Sequence, residues 1–270
     1  MNIPPIFKHR FKNNGSGGNI QENQSFVKRS PNVLPYFFYL VVLFFILYVF
    51  YVPKATIGEI FFGRIPALYN LSFSKFFYNQ ALLFDTKNKI PRRYVHYQLG
   101  RIAFIEGNFP KTLDEMSEEI RYYPDTYQVY YMKGLTLGYT NREREAIENF
   151  KIFVEHNSDK WAGRNDLAWL QFRIGDIDGA LTTITPAYTK YPDNPWVLNT
   201  YGTLLMNKGN YQEAKKVLEK GHSISQLFTE KEWGIAYPGN DPRIYTVGLQ
   251  AMRDSFASNL ELLDRRSKEK

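Results

Sequence analysis

The sequence predicts an all-α protein in which four helical hairpins stack in series behind a single apolar helix. A small residue recurs every thirty-four positions through the middle of the chain, at Gly100, Gly134, Ala168 and Gly202. A short side chain follows each of these by twelve positions, at Thr112, Ala146, Ala180 and Ala214. Such a period indicates equivalent two-helix units, because each unit buries its apolar face only against its neighbours.

The amino-terminal part of the chain holds a polar tail and the longest apolar run. Residues 1–32 are polar and basic, and they cannot bury enough apolar surface to offset chain entropy, so we predict a disordered tail. Residues 33–52 are mostly apolar and carry no charge. At about 1.5 Å per residue they would extend roughly 30 Å, which predicts one transmembrane helix. The apolar region of a cleaved signal peptide would be shorter.

The distribution of charge predicts an orientation and argues against a nucleic-acid partner. Six basic residues and one acidic residue lie in residues 1–55, a net charge of +5, and the rest of the chain carries +2 of the total of +7. This flanking charge predicts a cytoplasmic tail and repeats on the other side of the membrane. Because the repeats themselves are nearly neutral, they lack the basic face of a nucleic-acid binder.

Residues 53–92 carry scattered apolar residues over one or two helical stretches, with Pro66 and Pro91 as breaks. We predict a helical cap that covers the open end of the repeats. The alternative is an amphipathic helix on the bilayer, since several aromatic residues suit an interface. These residues are Phe61, Phe62, Phe73, Phe76 and Phe77.

Each repeat unit contains two stretches with helical spacing, separated by a turn residue. In the last unit Leu198, Tyr201 and Leu205 lie on one stripe, and Gly209 follows where a helix ends on a left-handed residue. Asn141 fills the same place in the second unit, and Asn also tolerates that conformation. The predicted units are 93–126, 127–160, 161–194 and 195–228.

The pattern stops after the fourth unit. Residues 229–242 predict a loop, because they contain the turn run from Pro238 to Pro242. In residues 243–270 apolar residues return at spacings of three and four. This spacing predicts a terminal helix that closes the stack, followed by a charged end.

The period, the small eighth residue and the Ala at the twentieth position resemble the tetratricopeptide repeat family over residues 93–228. The resemblance implies a right-handed α-α superhelix that binds another protein or a peptide on its concave face. Four residues depart from the family pattern and weaken single units, namely Thr112, Ser158, Arg164 and Gln226.

The resemblance also implies which side chains face a ligand, since contacts in the family come from the second, fifth, ninth, twelfth and thirteenth positions of a unit. These positions hold Tyr94, Tyr97, Arg101, Phe104, Gln128, Tyr131, Leu135, Tyr139, Asn165, Trp169, Phe172, Arg173, Trp196, Asn199, Thr203 and Asn207. We predict that ten of them bind a peptide: Tyr97, Arg101, Tyr131, Leu135, Asn165, Trp169, Arg173, Trp196, Asn199 and Thr203. Aromatic rings supply contact area, Asn amides pair with a peptide backbone, and Arg holds carboxylates. The alternative is that the aromatic side chains pack against the next unit.

No catalytic, cofactor or metal site is predicted. The chain has no Cys, its four His residues lack ligand spacing, and there is no glycine-rich phosphate loop. An acidic cluster on one predicted helix indicates a solvated face, and it comprises Asp114, Glu115, Glu118 and Glu119.

These observations predict a non-enzymatic scaffold that is anchored in a membrane by one helix. Its repeats are predicted to lie on the extracytoplasmic side. Its partner would be another protein or a peptide segment, held on the concave face. The alternative is a structural subunit of a larger membrane enzyme or assembly complex, with a neighbour permanently in the groove.

Overall fold

A computed structural model describes residues 34–87, 89–236 and 248–268. Apart from turns and one isolated bridge, these residues are helical. Over this part of the chain the all-α prediction is confirmed. The predicted disordered tail, residues 1–32, lies outside the described residues.

The first helix, α1 (Leu34–Tyr51), exposes the apolar side chains from Tyr36 to Leu47. It extends across the boundary between two units of the chain, Met1–Leu47 and Tyr48–Lys270. Within the described residues, no helix has both the length and the apolar character that crossing a bilayer requires. The transmembrane helix predicted over residues 33–52 is therefore not supported by the structure.

A short helical segment precedes the repeats. Helix α2 (Lys54–Glu59) continues into a π-helical turn (Ile60–Arg64) and a 3-10 turn (Pro66–Leu68), after which α3 (Leu71–Phe84) begins. The Oδ1 atom of Asn70 accepts a hydrogen bond from the amide of Phe73 and caps α3.

One face of α3 packs on the first repeat. Tyr78 and Ala81 share a buried apolar cluster with Val95, Leu99 and Ile102. Burial of these residues removes the apolar end of the repeats from water, as a capping element must in a stacked array. The segment therefore packs in the manner of a cap.

The repeats consist of eight helices, two in each thirty-four-residue unit. In order they are α4 (Val95–Ile105), α5 (Phe109–Tyr122), α6 (Gln128–Tyr139), α7 (Glu143–His156), α8 (Trp161–Arg173), α9 (Ile177–Lys190), α10 (Pro195–Lys208) and α11 (Tyr211–Leu227). The first helix of each unit is called the A helix below, and the second is called the B helix.

The turn between the A and B helices of each unit contains one residue with positive φ. These residues are Gly107 (73°), Asn141 (57°), Gly175 (86°) and Gly209 (86°). The left-handed conformation is accessible to Gly without steric cost and is tolerated by Asn, which ends the A helix at this point. The turn prediction made for Asn141 and Gly209 is confirmed.

The four small marker residues occupy equivalent surroundings. A Cβ atom built on Gly134 would lie 2.7 Å from the ring of Phe150, and one built on Gly202 would lie 2.7 Å from Leu218. In every unit the residue sixteen positions after the marker is fully buried, and these residues are Met116, Phe150, Ile184 and Leu218. The period in the sequence therefore arises from close contact between the A and B helices of each unit.

The chain after the repeats is more helical than predicted. Helix α12 (Glu230–Ala236) occupies half of the segment predicted as a loop, while residues 237–247 lie outside the described part. A capping box stabilises the start of this helix. The Thr229 hydroxyl accepts a hydrogen bond from the Glu232 amide at 3.3 Å, and the Glu232 carboxylate accepts one from the Thr229 amide at 2.9 Å.

The last helix, α13 (Gly248–Lys268), closes the stack. Phe256 and Leu263 are buried in one cluster with Leu198 and Leu218 of the fourth unit. The guanidinium of Arg253 donates to the Ser225 carbonyl oxygen at 3.1 Å and so satisfies a free acceptor at the end of α11.

Candidate functional site

The fifth position of each of the last three units is engaged by the next helix in the stack. Tyr131 donates its hydroxyl to Asp166 at 2.8 Å. The Asn165 side-chain oxygen accepts from the Thr200 hydroxyl at 2.8 Å. These groups hold successive A helices together, and the packing alternative therefore describes Tyr131 and Asn165 better than a ligand contact does.

In the fourth unit the place of a next A helix is taken by α13. The Asn199 amide donates to Ser255 at 3.2 Å, and Asn259 donates to the side-chain oxygen of Asn199 and to the Thr203 hydroxyl at 3.1 Å each. Arg266 donates to Asn207 at 3.2 Å. The predicted peptide contacts Asn199 and Thr203 are thus covered by the terminal helix.

Four further predicted residues also lie in internal packing. Tyr97 and Leu135 are half-buried against the cluster that contains Met116 and Met132, and burial raises the pKa of the Tyr97 hydroxyl. The guanidinium of Arg101 lies 4.7 Å from the centre of the Phe62 ring and holds the segment before the repeats.

Trp196, the fourth of these residues, belongs to an aromatic stack. Its ring is 3.8 Å from that of Trp233 with an angle of 22° between their planes, and 5.5 Å from that of Trp161. Trp233 is buried. Within residues 229–242, Trp233 packs in this stack and anchors α12, so it does not form a binding surface.

Two of the predicted residues are open to solvent. Trp169 is 42% exposed and its ring contacts that of Phe172 at 5.4 Å. Arg173, one turn further along α8, pairs with Glu143 at 2.6 Å and remains on the surface. This pair joins the A helix of the third unit to the B helix of the second.

A second open aromatic group lies on the first two units. Tyr139 is 65% exposed, and its ring is 5.6 Å from that of Phe104 and 6.1 Å from that of Phe109. The family positions included Phe104 and Tyr139, but the predicted site omitted them. Phe109 begins a B helix. In the sequence, only its position shortly after the turn residue Gly107 could have identified it as a candidate site residue.

The most exposed residue of each group, Tyr139 on α6 and Trp169 on α8, lies on one of two neighbouring A helices. Gly138, the neighbour of Tyr139 on α6, lies close to Leu170, the neighbour of Trp169 on α8. A Cβ atom built on Gly138 would be 3.7 Å from the Leu170 side chain. We refer to Phe104, Phe109, Tyr139, Trp169 and Phe172 as the open aromatic surface. Aromatic side chains bury large areas at low entropic cost, so this surface suits an apolar or aromatic ligand segment.

The acidic cluster on α5 is only partly solvated. Asp114 is exposed and Glu118 half-exposed, whereas Glu115 and Glu119 are buried, because residues four apart on a helix share the face that packs on α4. The prediction of a uniformly solvated face is therefore wrong. Within the described residues no group of three potential ligands could hold a metal ion.

The two buried carboxylates have different partners. Burial raises the pKa of Glu115. The contacts with His96 at 2.6 Å and Lys111 at 2.9 Å lower the pKa by more than burial raises it, so the net pKa lies below the ordinary value. Burial likewise raises the pKa of Glu119, and there the net shift stays upward. Its two oxygens accept from the amides of Tyr94 at 2.7 Å and Tyr97 at 3.2 Å, at the start of α4.

Replacing Glu119 with glutamine is expected to destabilise the protein by about 1–2 kcal/mol, because the Gln NH2 group cannot accept the second backbone hydrogen bond. Chemical denaturation at neutral pH measures this effect. Glu118→Gln is the matched control on the same helix, since Glu118 makes only a surface ion pair with Arg121 and should cost less than about 0.5 kcal/mol. Equal losses in the two variants would contradict the capping role.

Comparison with known proteins finds one family model that matches part of the repeats and several solved structures with a similar fold. The tetratricopeptide repeat family model matches residues 175–223. No curated protein matches the sequence.

Among solved structures, the crystal structure of YrrB, described as a TPR protein with an unusual peptide-binding site, has a TM-score of 0.54 and 18% sequence identity. That match covers 65% of this chain and 87% of YrrB. A crystal structure of MamA has a TM-score of 0.54 and 16% identity, and the match covers 63% of this chain and 95% of MamA. A MamA RS-1 double mutant has a TM-score of 0.56 and 14% identity, with 64% and 95% covered.

At these identities the structural likeness establishes the fold and nothing further. The family match over part of the third and fourth units agrees with it, and the helices of all four units follow the same plan. The match and the fold together support a tetratricopeptide repeat protein.

Proposed function

We propose that this protein is a non-enzymatic scaffold that binds a peptide segment of another protein on the open aromatic surface. The observation that carries the proposal is the exposure of Trp169 and Tyr139, at 42% and 65%, on neighbouring A helices. Other predicted contacts on the A helices are used by the stack itself. Large aromatic side chains left in water on a binding-type fold are characteristic of interaction sites.

Charge at the edge of this surface favours a ligand with an acidic group. Arg173 follows Phe172 directly and its side chain is 39% exposed while it pairs with Glu143. A carboxylate on the ligand can accept a hydrogen bond from the same guanidinium, which offers several donors in one plane. The structurally similar protein YrrB, a TPR protein with an unusual peptide-binding site, supports a peptide ligand on this fold.

Replacing Trp169 with alanine is expected to weaken peptide binding by at least tenfold, since truncation of a buried interface Trp costs about 2 kcal/mol. The probe is a peptide selected from a displayed random library on the immobilised full chain, with its Kd measured by fluorescence anisotropy. Thr182→Ala on the exposed face of α9 is the control and should leave the Kd unchanged. A peptide that tolerates Trp169→Ala and Tyr139→Ala would place the site elsewhere.

We also propose that the scaffold operates at a membrane, with the repeats on the extracytoplasmic side. The apolar run of residues 33–52 and the basic flank before it support this location, and the support comes from sequence alone. Carbonate extraction of cell membranes tests the attachment, and protease accessibility of the repeats in intact cells tests the side. Recovery of the chain in the extracted supernatant would refute the attachment.

A further inference from the structure

Helix α3 carries apolar side chains on two opposite faces. Ser74, Tyr78 and Ala81 form the buried face, which packs inside the protein. The other face lies about half a helical turn away, and its apolar side chains are exposed to solvent. They are Phe73 (54%), Phe76 (54%), Leu83 (67%) and Phe84 (67%). We refer to these four residues as the outer α3 face.

The rings at this face form one continuous surface with the segment before α3. The ring of Phe61 is 5.4 Å from that of Phe73 and 6.0 Å from that of Phe77, and Phe76 lies 5.3 Å from Phe77. The rings of Phe61 and Phe77 thus extend the outer α3 face toward α2. A contiguous apolar surface of this kind marks an interaction site more often than scattered single side chains do.

The net charge of the segment that bears this surface favours one kind of partner. Residues 53–92 contain six basic and two acidic residues, a net charge of +4, whereas residues 93–228 contain sixteen basic and seventeen acidic residues, a net charge of −1. Excess positive charge in the same segment as exposed phenylalanines suits an anionic lipid surface. A second copy of the same segment would instead bring like charges together, which opposes self-association through this face.

The chain preceding this segment points to the same partner. Helix α1 exposes apolar side chains from Tyr36 to Leu47, and only Val52 and Pro53 separate its end from α2. If a bilayer takes up the side chains of α1, the segment that bears the outer α3 face begins only two residues further along the chain.

We propose that the outer α3 face lies in the headgroup region of an anionic bilayer, while the opposite face of α3 packs on the first repeat. The inference rests on the proposed membrane location and is independent of peptide binding. Both interpretations of residues 53–92 then hold together, as cap on one side and as interfacial helix on the other. The contact requires no spanning by α3, because a helix of this kind buries its apolar face about 5–10 Å deep.

The absence of cysteine from the sequence allows a direct test on the full chain. Phe76→Cys places one thiol on the outer α3 face, and Thr182→Cys places one on the exposed side of α9 as the control. Each variant is labelled with an environment-sensitive dye and mixed with vesicles of phosphatidylcholine and phosphatidylglycerol. The readouts are the emission maximum, quenching by spin-labelled lipid and quenching by aqueous iodide.

The dye at position 76 is expected to shift to shorter wavelength on vesicle addition and to lose intensity to spin-labelled lipid, while the dye at position 182 stays accessible to iodide. Adding Leu83→Asp should reduce the shift, with an unchanged circular dichroism spectrum because Leu83 is exposed. If the chain binds vesicles and both dyes remain equally accessible to iodide, the lipid contact of α3 is refuted. If the chain does not bind vesicles at all, the inference falls together with the proposed location, and the peptide-binding proposal is unaffected.

Discussion

Replacing Phe256 with alanine is expected to lower the free energy of unfolding by about 3–5 kcal/mol, the cost of a large cavity in a packed core. Phe256 is fully buried and lies in one cluster with Leu198 and Leu218. Its ring also lies so close to Gly221 that a Cβ atom there would be 2.5 Å away. The fourth unit therefore cannot collapse onto the cavity without moving α11.

The loss should be concentrated at one end of the array, because each unit in a stack contacts only its neighbours. Amide hydrogen exchange is expected to show lost protection in α10, α11 and α13 and unchanged protection in α4 and α5. Denaturation followed by circular dichroism gives the overall change in stability. Leu227→Ala is the control, since its side chain is 80% exposed and truncation should cost less than about 0.5 kcal/mol.

An alternative outcome would alter the assignment of α13. If Phe256→Ala changed stability no more than Leu227→Ala does, α13 would be a loosely attached helix. Asn199 and Thr203 would then be available to a ligand, as the sequence predicted, because the Asn259 side chain that now bonds both would leave with α13.

The repeat architecture could be predicted from the sequence because its determinants are local and periodic. Each unit contains a marker residue, a left-handed turn residue and a small residue in its B helix. The signal from one unit is weak, but the same signal recurs in four units. Helix α12 also has a local determinant in the sequence, although the segment was predicted as a loop. Thr229 and Glu232 form a capping box that is visible in the sequence, but the turn-rich residues after position 237 dominated the prediction.

The site was harder to predict, since a residue at a given repeat position is exposed only if no neighbour covers it. Asn199 and Trp169 both occupy positions that face ligands in the tetratricopeptide repeat family. Asn199 bonds to α13, which lies more than fifty residues later in the chain, whereas nothing in the described residues covers Trp169 to the same extent. Such coverage depends on how distant helices dock, and the repeat pattern carries no information about it.

The second large effect concerns two glycines on helix α6, for which opposite signs are expected. Gly134→Ala should destabilise the protein by about 2–3 kcal/mol, the upper part of the range for overpacking, because the added methyl group meets the Phe150 ring. Three ring atoms would lie between 2.7 and 3.0 Å from the new Cβ, and Phe150 is itself fully buried. Gly138→Ala should instead stabilise it by about 0.5–1 kcal/mol, since Ala orders the helix better than Gly.

The contrast between the two substitutions separates packing from helix propensity. A Cβ atom on Gly138 meets nothing closer than Leu170 at 3.7 Å, an ordinary contact, so only propensity acts there. Urea denaturation of both variants measures the difference. The double variant Gly134→Ala with Phe150→Leu provides the decisive comparison, because a smaller side chain opposite the methyl group should make the two changes less costly together than their sum. Strict additivity would show that Gly134 does not bring α6 and α7 together, and the period of the sequence would then need another cause.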